Sequence, residues 1–201
     1  MGDFASGGLG SHEILRLPDG DFAVAYGGTK THPDFQRAKL NLPTIQTNLS
    51  IQSPSARLQE SWAFKGAMHQ NSIRHIDADR REYVFAALQW QGSPDRVLPL
   101  VARFTSGRVP RFLPHLCTER LGQYAGSISV SLDGGEVAVT GPKGDPVLFL
   151  EGSELPLTAA SLNAASGVTK AVEGLVITVA GGLTLWQPGQ LPPVPVDGGW
   201  F

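Results

Sequence analysis

The sequence predicts an all-β fold assembled from repeated four-stranded units, on three observations. The first is internal repetition. Residues 11–25 (SHEILRLPDGDFAVA), 72–86 (SIRHIDADRREYVFA) and 126–140 (GSISVSLDGGEVAVT) align without a gap, and a looser copy with a deletion starts at Ser166 (SGVTKAVEGLVITVAGG). The second is column chemistry. Leu15, Ile76 and Val130 share one column, Phe22, Tyr83 and Val137 another, and Val24, Phe85 and Val139 a third, while small residues (Ala23, Val84, Ala138) stand between them. A strand apolar on both faces is one buried between two sheets. The third is punctuation: each copy reads strand, tight turn, strand, with Asp-Gly or an equivalent at the turn.

Each copy is followed by two more candidate strands. They are Asn48–Gln52 with 58–64, then 98–105 with 108–113, then 147–151 with a short 154–157. Four antiparallel strands recurring every ~40–45 residues or longer define a β-propeller blade. The expectation is therefore a propeller of about four blades, forming one domain over residues 1–201. Helix is scarce, with only residues 117–123 able to form a turn or two.

Composition agrees with this reading. The 24 glycines and 15 prolines among 201 residues suit a turn-rich β protein. A net charge of −2 gives no basic patch for nucleic acid, so no nucleic-acid partner is expected. The one cysteine, Cys117, rules out an intramolecular disulfide and a cysteine-based zinc site. No apolar run approaches the ~20 residues of a membrane span. The first residues, MGDFASGGLGSHE, carry neither a basic nor an apolar leader region, so the chain as written shows no export signal.

Alternating strand direction within a blade puts the entry into the first strand and the second-to-third connection on the same face. The chemistry-bearing residues fall on those segments. His12 and Glu13 enter the first unit, and its second-to-third connection is a long loop, residues 27–47, carrying Lys30, His32, Asp34, Arg37, Lys39 and Asn41. Hairpin connections usually need about 2–5 residues, so a loop of this length reads as a binding element. His69, Gln70 and Asn71 enter the second unit with Arg74 and His75, and Gln89-Trp90-Gln91-Gly92 is its connection. Tyr124 enters the third, which has Gly141-Pro142-Lys143-Gly144. The first-to-second turns carry nothing comparable. One face is thus expected to be built for contact.

The segments SHEI, YGGTKTHPD with Arg37 and the KLNL of residues 39–42, NSIRH, QWQG and YAGSISV together resemble an uncharacterised family of bacterial exported β-propeller proteins. That family is similar to YVTN and WD-type repeats. Its members usually carry a twin-arginine signal and are often encoded beside imelysin-like iron-uptake proteins and a dihaem thiol-oxidoreductase-like protein. The resemblance covers nearly the whole chain, which starts where those proteins are already well advanced. It implies a periplasmic propeller, with the four blades here part of a larger, seven-bladed ring, and a protein partner from an iron-uptake or thiol-oxidation system.

Two functional readings follow. In the first, the chain is a non-catalytic binding or scaffold protein, without a cofactor, that uses the decorated face. In the second, His12, His32, His69 and His75 hold a transition metal for a hydrolase-like, lactonase-like or redox enzyme. No HExxH-type spacing supports the metal, no GxSxG elbow supports a serine nucleophile, and Cys117 lacks a nucleophile signature. Glu13 and Arg74, which share a repeat column, are expected to form an inter-blade ion pair, the second reading being that Arg74 presents its fork to a carboxylate ligand or partner. Trp90 reads either as a lid over the core or as an exposed recognition aromatic. Four units of a larger ring are also expected to leave broad apolar blade faces uncovered.

Overall fold

The computed structural model describes residues 6–36, 38–81, 83–113, 119–144, 146–151, 157–187 and 194–196. Sixteen strands form four four-stranded antiparallel sheets, each a simple meander in chain order. Blade 1 holds β1 (Ser11–Arg16), β2 (Phe22–Tyr26), β3 (Asn48–Gln52) and β4 (Leu58–Ala63). Blade 2 holds β5 (Asn71–Ala78), β6 (Val84–Trp90), β7 (Val101–Phe104) and β8 (Arg111–Phe112). Blade 3 holds β9 (Ser127–Val130), β10 (Glu136–Thr140), β11 (Pro146–Glu151) and β12 (Leu157–Ser161). Blade 4 holds β13 (Val168–Ala171), β14 (Gly174–Val179), β15 (Gly182–Trp186) and β16 (Val194–Val196). The last strand of blade 3 lies beyond its expected place at 154–157, and the rest of that range lies outside the described residues. Among the described residues of the expected helical stretch, Glu119–Leu121 forms one 3-10 turn, and Cys117 lies outside the described residues.

The second strands of the first three blades are buried along nearly their whole length. Every residue of β6 is buried, and so are the last four of β2 and of β10. The small column does what its size requires: Ala23 and Ala138 are wholly buried and Val84 nearly so, letting neighbouring sheets approach closely. Aromatic rings fill the wider outer gaps between blades. Phe64 stacks on Phe104 and meets Phe112 edge-on between blades 1 and 2, and Phe149 stacks on Trp186 at 3.7 Å between blades 3 and 4. The Trp186 Nε1–H is satisfied by Glu136 at 2.6 Å.

The first-strand columns of the ungapped alignment do not survive as structural equivalents. The hairpin mates of Ala23, Val84 and Ala138 are Leu15, Ala78 and Ser129, so blade 2 is displaced by two residues and blade 3 by one. Turn chemistry is the reason. Asp19, Asp79 and Asp133 each accept the N–H two residues on, from Asp21, Arg81 and Gly135, and Asp19 stands one column later than the other two. Bulges then absorb the slack, at His12 in β1 and at Arg74 in β5.

Consecutive blades are joined by side chains of one first strand that accept backbone N–H groups of the next. Glu13 takes Ile76 N–H, Asp77 takes Val130 N–H at 2.8 Å, and Ser127 takes Val168 N–H at 3.3 Å. Asp77 also accepts the Ser129 hydroxyl and pairs with Lys170 of β13 at 2.7 Å, so it ties blade 2 to blades 3 and 4. The Glu13–Arg74 ion pair expected from the shared column does not form. Glu13 reaches His75 Nδ1 at 3.6 Å instead, because the bulge at Arg74 turns that side chain out of register.

The outward side of blade 1 is less apolar than expected. Asn48, Ser50 and Gln52 lie buried on it, and residues 6–10 run across Tyr26, whose hydroxyl donates to the Ser6 carbonyl. Gln52 donates to the same carbonyl, and the Gly27 and Gly28 N–H groups donate to Gly10 and Leu9. A Cβ on Gly8 would sit inside the Tyr26 ring, so position 8 fits only as glycine.

Candidate functional site

The long connection between β2 and β3 is pinned to its surroundings. Asn41 is its brace: the side-chain oxygen accepts Lys30 N–H at 2.6 Å and the amide donates to Gly28 O at 2.8 Å. Leu40 N–H closes the loop base onto Lys30 O. Gly28 has φ +71, and a Cβ there would meet the backbone of Gln46 and Thr47 at 2.6 Å. At the tip, His32 Nδ1 accepts Asp34 N–H and Pro33 opens a 3-10 turn, Pro33–Phe35. The loop is also tied to blade 2. Ser72 donates to Gly27 O, Ile73 N–H donates to the Thr47 hydroxyl, and Gln70 donates to Leu42 O. Arg37 lies outside the described residues.

Pinning brings separated segments to one mouth, as alternating strand direction requires. Lys39 donates from the loop to Gln91, in the connection after β6. The Arg74 guanidinium lies against Gly27, close enough that a Cβ on Gly27 would be 3.3 Å from its Cζ. Tyr124 sits beside Arg74, and Lys143 Nζ stands 4.7 Å from the Tyr124 ring centre. Three cations from three blades thus share this mouth. Lys39 is held below the ordinary lysine value by partial loss of solvent, then by the charges of Arg74 and Lys143. Burial holds Arg74 below its ordinary value, with Tyr124 acting in the opposite sense. The described ion pairs, His32–Asp34, His75–Glu13 and Lys170–Asp77, include none of the three. Arg74 Nε is buried and has no acceptor.

The remaining sequence candidates sort by what they touch. His12 and His75 meet edge to face at 4.9 Å, with Glu13 against His75. His12 is held below the ordinary histidine value by burial, then by His75 and Arg74, against smaller raising effects from the Arg74 backbone and Glu13. His69 bonds the Gly66 carbonyl, and His32 is occupied with Asp34 in its own loop, so the four histidines do not converge. Among the described residues no three His, Cys, Asp or Glu groups are arranged to hold a metal. Asn71 is wholly buried and donates to Pro99 O within blade 2, while Gln89 reaches Ala125 O at the entry to blade 3, so both serve the framework. Trp90 is a lid over the core rather than an exposed aromatic: it is 7% exposed and donates to Ser93 O at 2.7 Å.

One feature escapes sequence reading, whereas the approach of Lys143 to Tyr124 follows from it: the entry to β9 and the β10–β11 connection share one end of blade 3. The opposite face, expected to be bare, holds a cleft of about 630 Å³ between blades 1 and 2. Trp62, Tyr83 and Phe104 line it beneath Glu60, Arg80 and Arg81. No repeat column predicts it, because it arises where two wedge-shaped sheets diverge.

The model of a family described as Protein of unknown function (DUF1513) matches residues 1–192. The chain belongs to that family. No curated protein matches it. Among solved structures, a functionally unknown protein from Desulfotomaculum acetoxidans matches with 12% identity and TM-score 0.58, covering 93% of this chain and 55% of that one. A streptogramin B lyase matches with 14% identity and TM-score 0.60, covering 94% and 56%. The β-propeller domain of Cps50 (Swd1) from Myceliophteria thermophila matches with 9% identity and TM-score 0.52, covering 85% and 48%. At these identities the likeness shows the fold alone, an all-β propeller. The chain spans about half the length of these structures. Among the described residues no helix is long and apolar enough to cross a membrane.

Proposed function

We propose that the chain acts as a non-catalytic binding or scaffold protein whose contact surface is the mouth where the loop of residues 27–47 meets the entry to β5. The observation that carries this reading is the pinning of that loop. Its backbone is fixed within blade 1 and to blade 2, while Lys30, Thr31, His32 and Asp34 stay exposed at its tip. A rigid, polar, exposed element binds without first being ordered, which lowers the entropic cost of association.

The resemblance stated above supplies the setting. The site of action is the periplasm, and the partner is a protein of an iron-uptake or thiol-oxidation system. The test uses the purified chain, immobilised and exposed in turn to the imelysin-like and dihaem thiol-oxidoreductase-like proteins of the same genome. One of them binds saturably, and Thr31→Trp, which adds bulk to the loop tip without touching its braces, weakens binding at least about tenfold, or 1.4 kcal/mol. Absence of binding by either protein, or binding indifferent to Thr31→Trp, overturns the reading. So does stoichiometric metal in untagged protein that disappears in a His12→Ala, His75→Ala double variant, because the site is then a metal centre.

A further inference from the structure

We infer that Arg74, Lys39, Lys143 and Tyr124 form an anion subsite that receives a carboxylate of an acidic peptide segment. This rests on the contact-face reading and says what that face recognises.

Three observations carry the inference. The first is convergence against repulsion. Lys39 comes from the loop of blade 1, Arg74 from the first strand of blade 2 and Lys143 from a connection of blade 3, yet each lysine is close enough to another member of the group to feel or touch it. Like charges so gathered in a chain of net charge −2 form a local positive field that repels itself until an anion enters. The second is the lack of internal compensation. None of the described ion pairs involves these cations, Lys39 is held by a neutral amide, and Arg74 Nε has no acceptor. Elsewhere the protein does neutralise a buried charge, as Asp77 and Lys170 show at 2.7 Å.

The third is geometry. Gly27 carries no Cβ, which leaves room for the guanidinium against the loop base, and Lys143 Nζ lies 4.7 Å from the centre of the Tyr124 ring. A planar fork flanked by two ammonium groups matches a carboxylate, which accepts two parallel N–H bonds. A peptide segment is favoured over a small free anion because Lys39 and Lys143 are exposed and come from different loops. They frame an open mouth that an extended chain fills with successive groups and a single ion does not.

The probe is a fluorescein-labelled oligoglutamate of about six residues, titrated into the chain at about 20 mM and about 300 mM salt, with inorganic phosphate as a competitor. The expected result is saturable binding at low salt, weakened at high salt. Arg74→Gln and Lys143→Gln each reduce affinity at least about tenfold. Arg57→Gln, in the turn between β3 and β4 at the opposite end, leaves it unchanged. Thermal melts confirm that each variant is folded, and Lys143→Gln carries the test if Arg74→Gln melts early, since Lys143 is exposed. Equal binding by wild type and Lys143→Gln overturns the inference, as does binding equally sensitive to Arg57→Gln. Tight binding of phosphate with none of the peptide overturns it too and makes the subsite one for a small oxyanion. The underlying reading fails separately. If a genome partner binds and is blocked by Thr31→Trp but ignores Arg74→Gln and Lys143→Gln, the contact face stands and the anion subsite falls.

Discussion

His12 shows how one residue can be readable as a type and unreadable as a role. A histidine at a strand entry suggests a ligand, yet here it occupies a bulge and packs edge-on against His75, with Arg74 and Glu13 beside it. Burial and the neighbouring positive groups keep it neutral below the ordinary value of 6.5. The unfolded chain therefore binds the proton more readily, and stability rises with pH through that window. The expected outcome is a denaturation midpoint that falls as pH drops below 6.5 towards the lowered folded value, and a flatter profile for His12→Gln. An unchanged slope in the variant would assign the dependence to another group. The four-histidine reading failed for a physical reason: His32 and His69 have short-range acceptors and donors of their own, and local bonds outcompete a distant convergence.

At the level of elements, the second strands of the first three blades were legible because burial on both faces leaves its mark on residue size and polarity. Ala23, Val84 and Ala138 had to be small, and they are buried. The first strands were not legible in register. Their bulges and the differing positions of Asp19, Asp79 and Asp133 shift pairing by one or two residues without changing the apolar count. The long loop was legible as a binding element by length, but its rigidity depends on hydrogen bonds to blade 2 that no local pattern encodes. Gly28 is the point where that rigidity can be tested. With φ +71 and backbone 2.6 Å from a Cβ, Gly28→Ala should cost about 1–3 kcal/mol, read by chemical denaturation. Partner affinity should fall with it, because the loop no longer seats against residues 46 and 47. A variant as stable as wild type would show that the loop base is softer than its geometry implies.

For the whole molecule, repetition with turn spacing was enough to read four meander sheets, and the common mouth followed from strand alternation alone. What could not be read was how blade 1 finishes. Polar side chains (Asn48, Ser50 and Gln52) are buried on its outward side, and the segment 6–10 closes over Tyr26 with several backbone and side-chain bonds. Starting the chain at Ser11 removes those partners and uncovers an aromatic ring. The expected loss is about 2–4 kcal/mol, from hydrogen bonds of about 0.5–1.5 kcal/mol each together with the exposed ring. Concentration-dependent self-association, read by light scattering, should accompany it. A shortened chain that stays monomeric and melts with wild type would show that Ile14, already 65% exposed, and its neighbours tolerate water without help.

Asp77 answers to two later blades at once, to the Val130 amide in one and the Lys170 ammonium in the other. Blade number in this lineage is therefore not freely adjustable at that end. A descendant that dropped its fourth sheet would keep an acid at the axis with no counterion, and one that replaced Asp77 would strand both an amide and a lysine. Duplication can lengthen such a ring one sheet at a time, but shortening it past β13 requires Asp77 and Lys170 to change together.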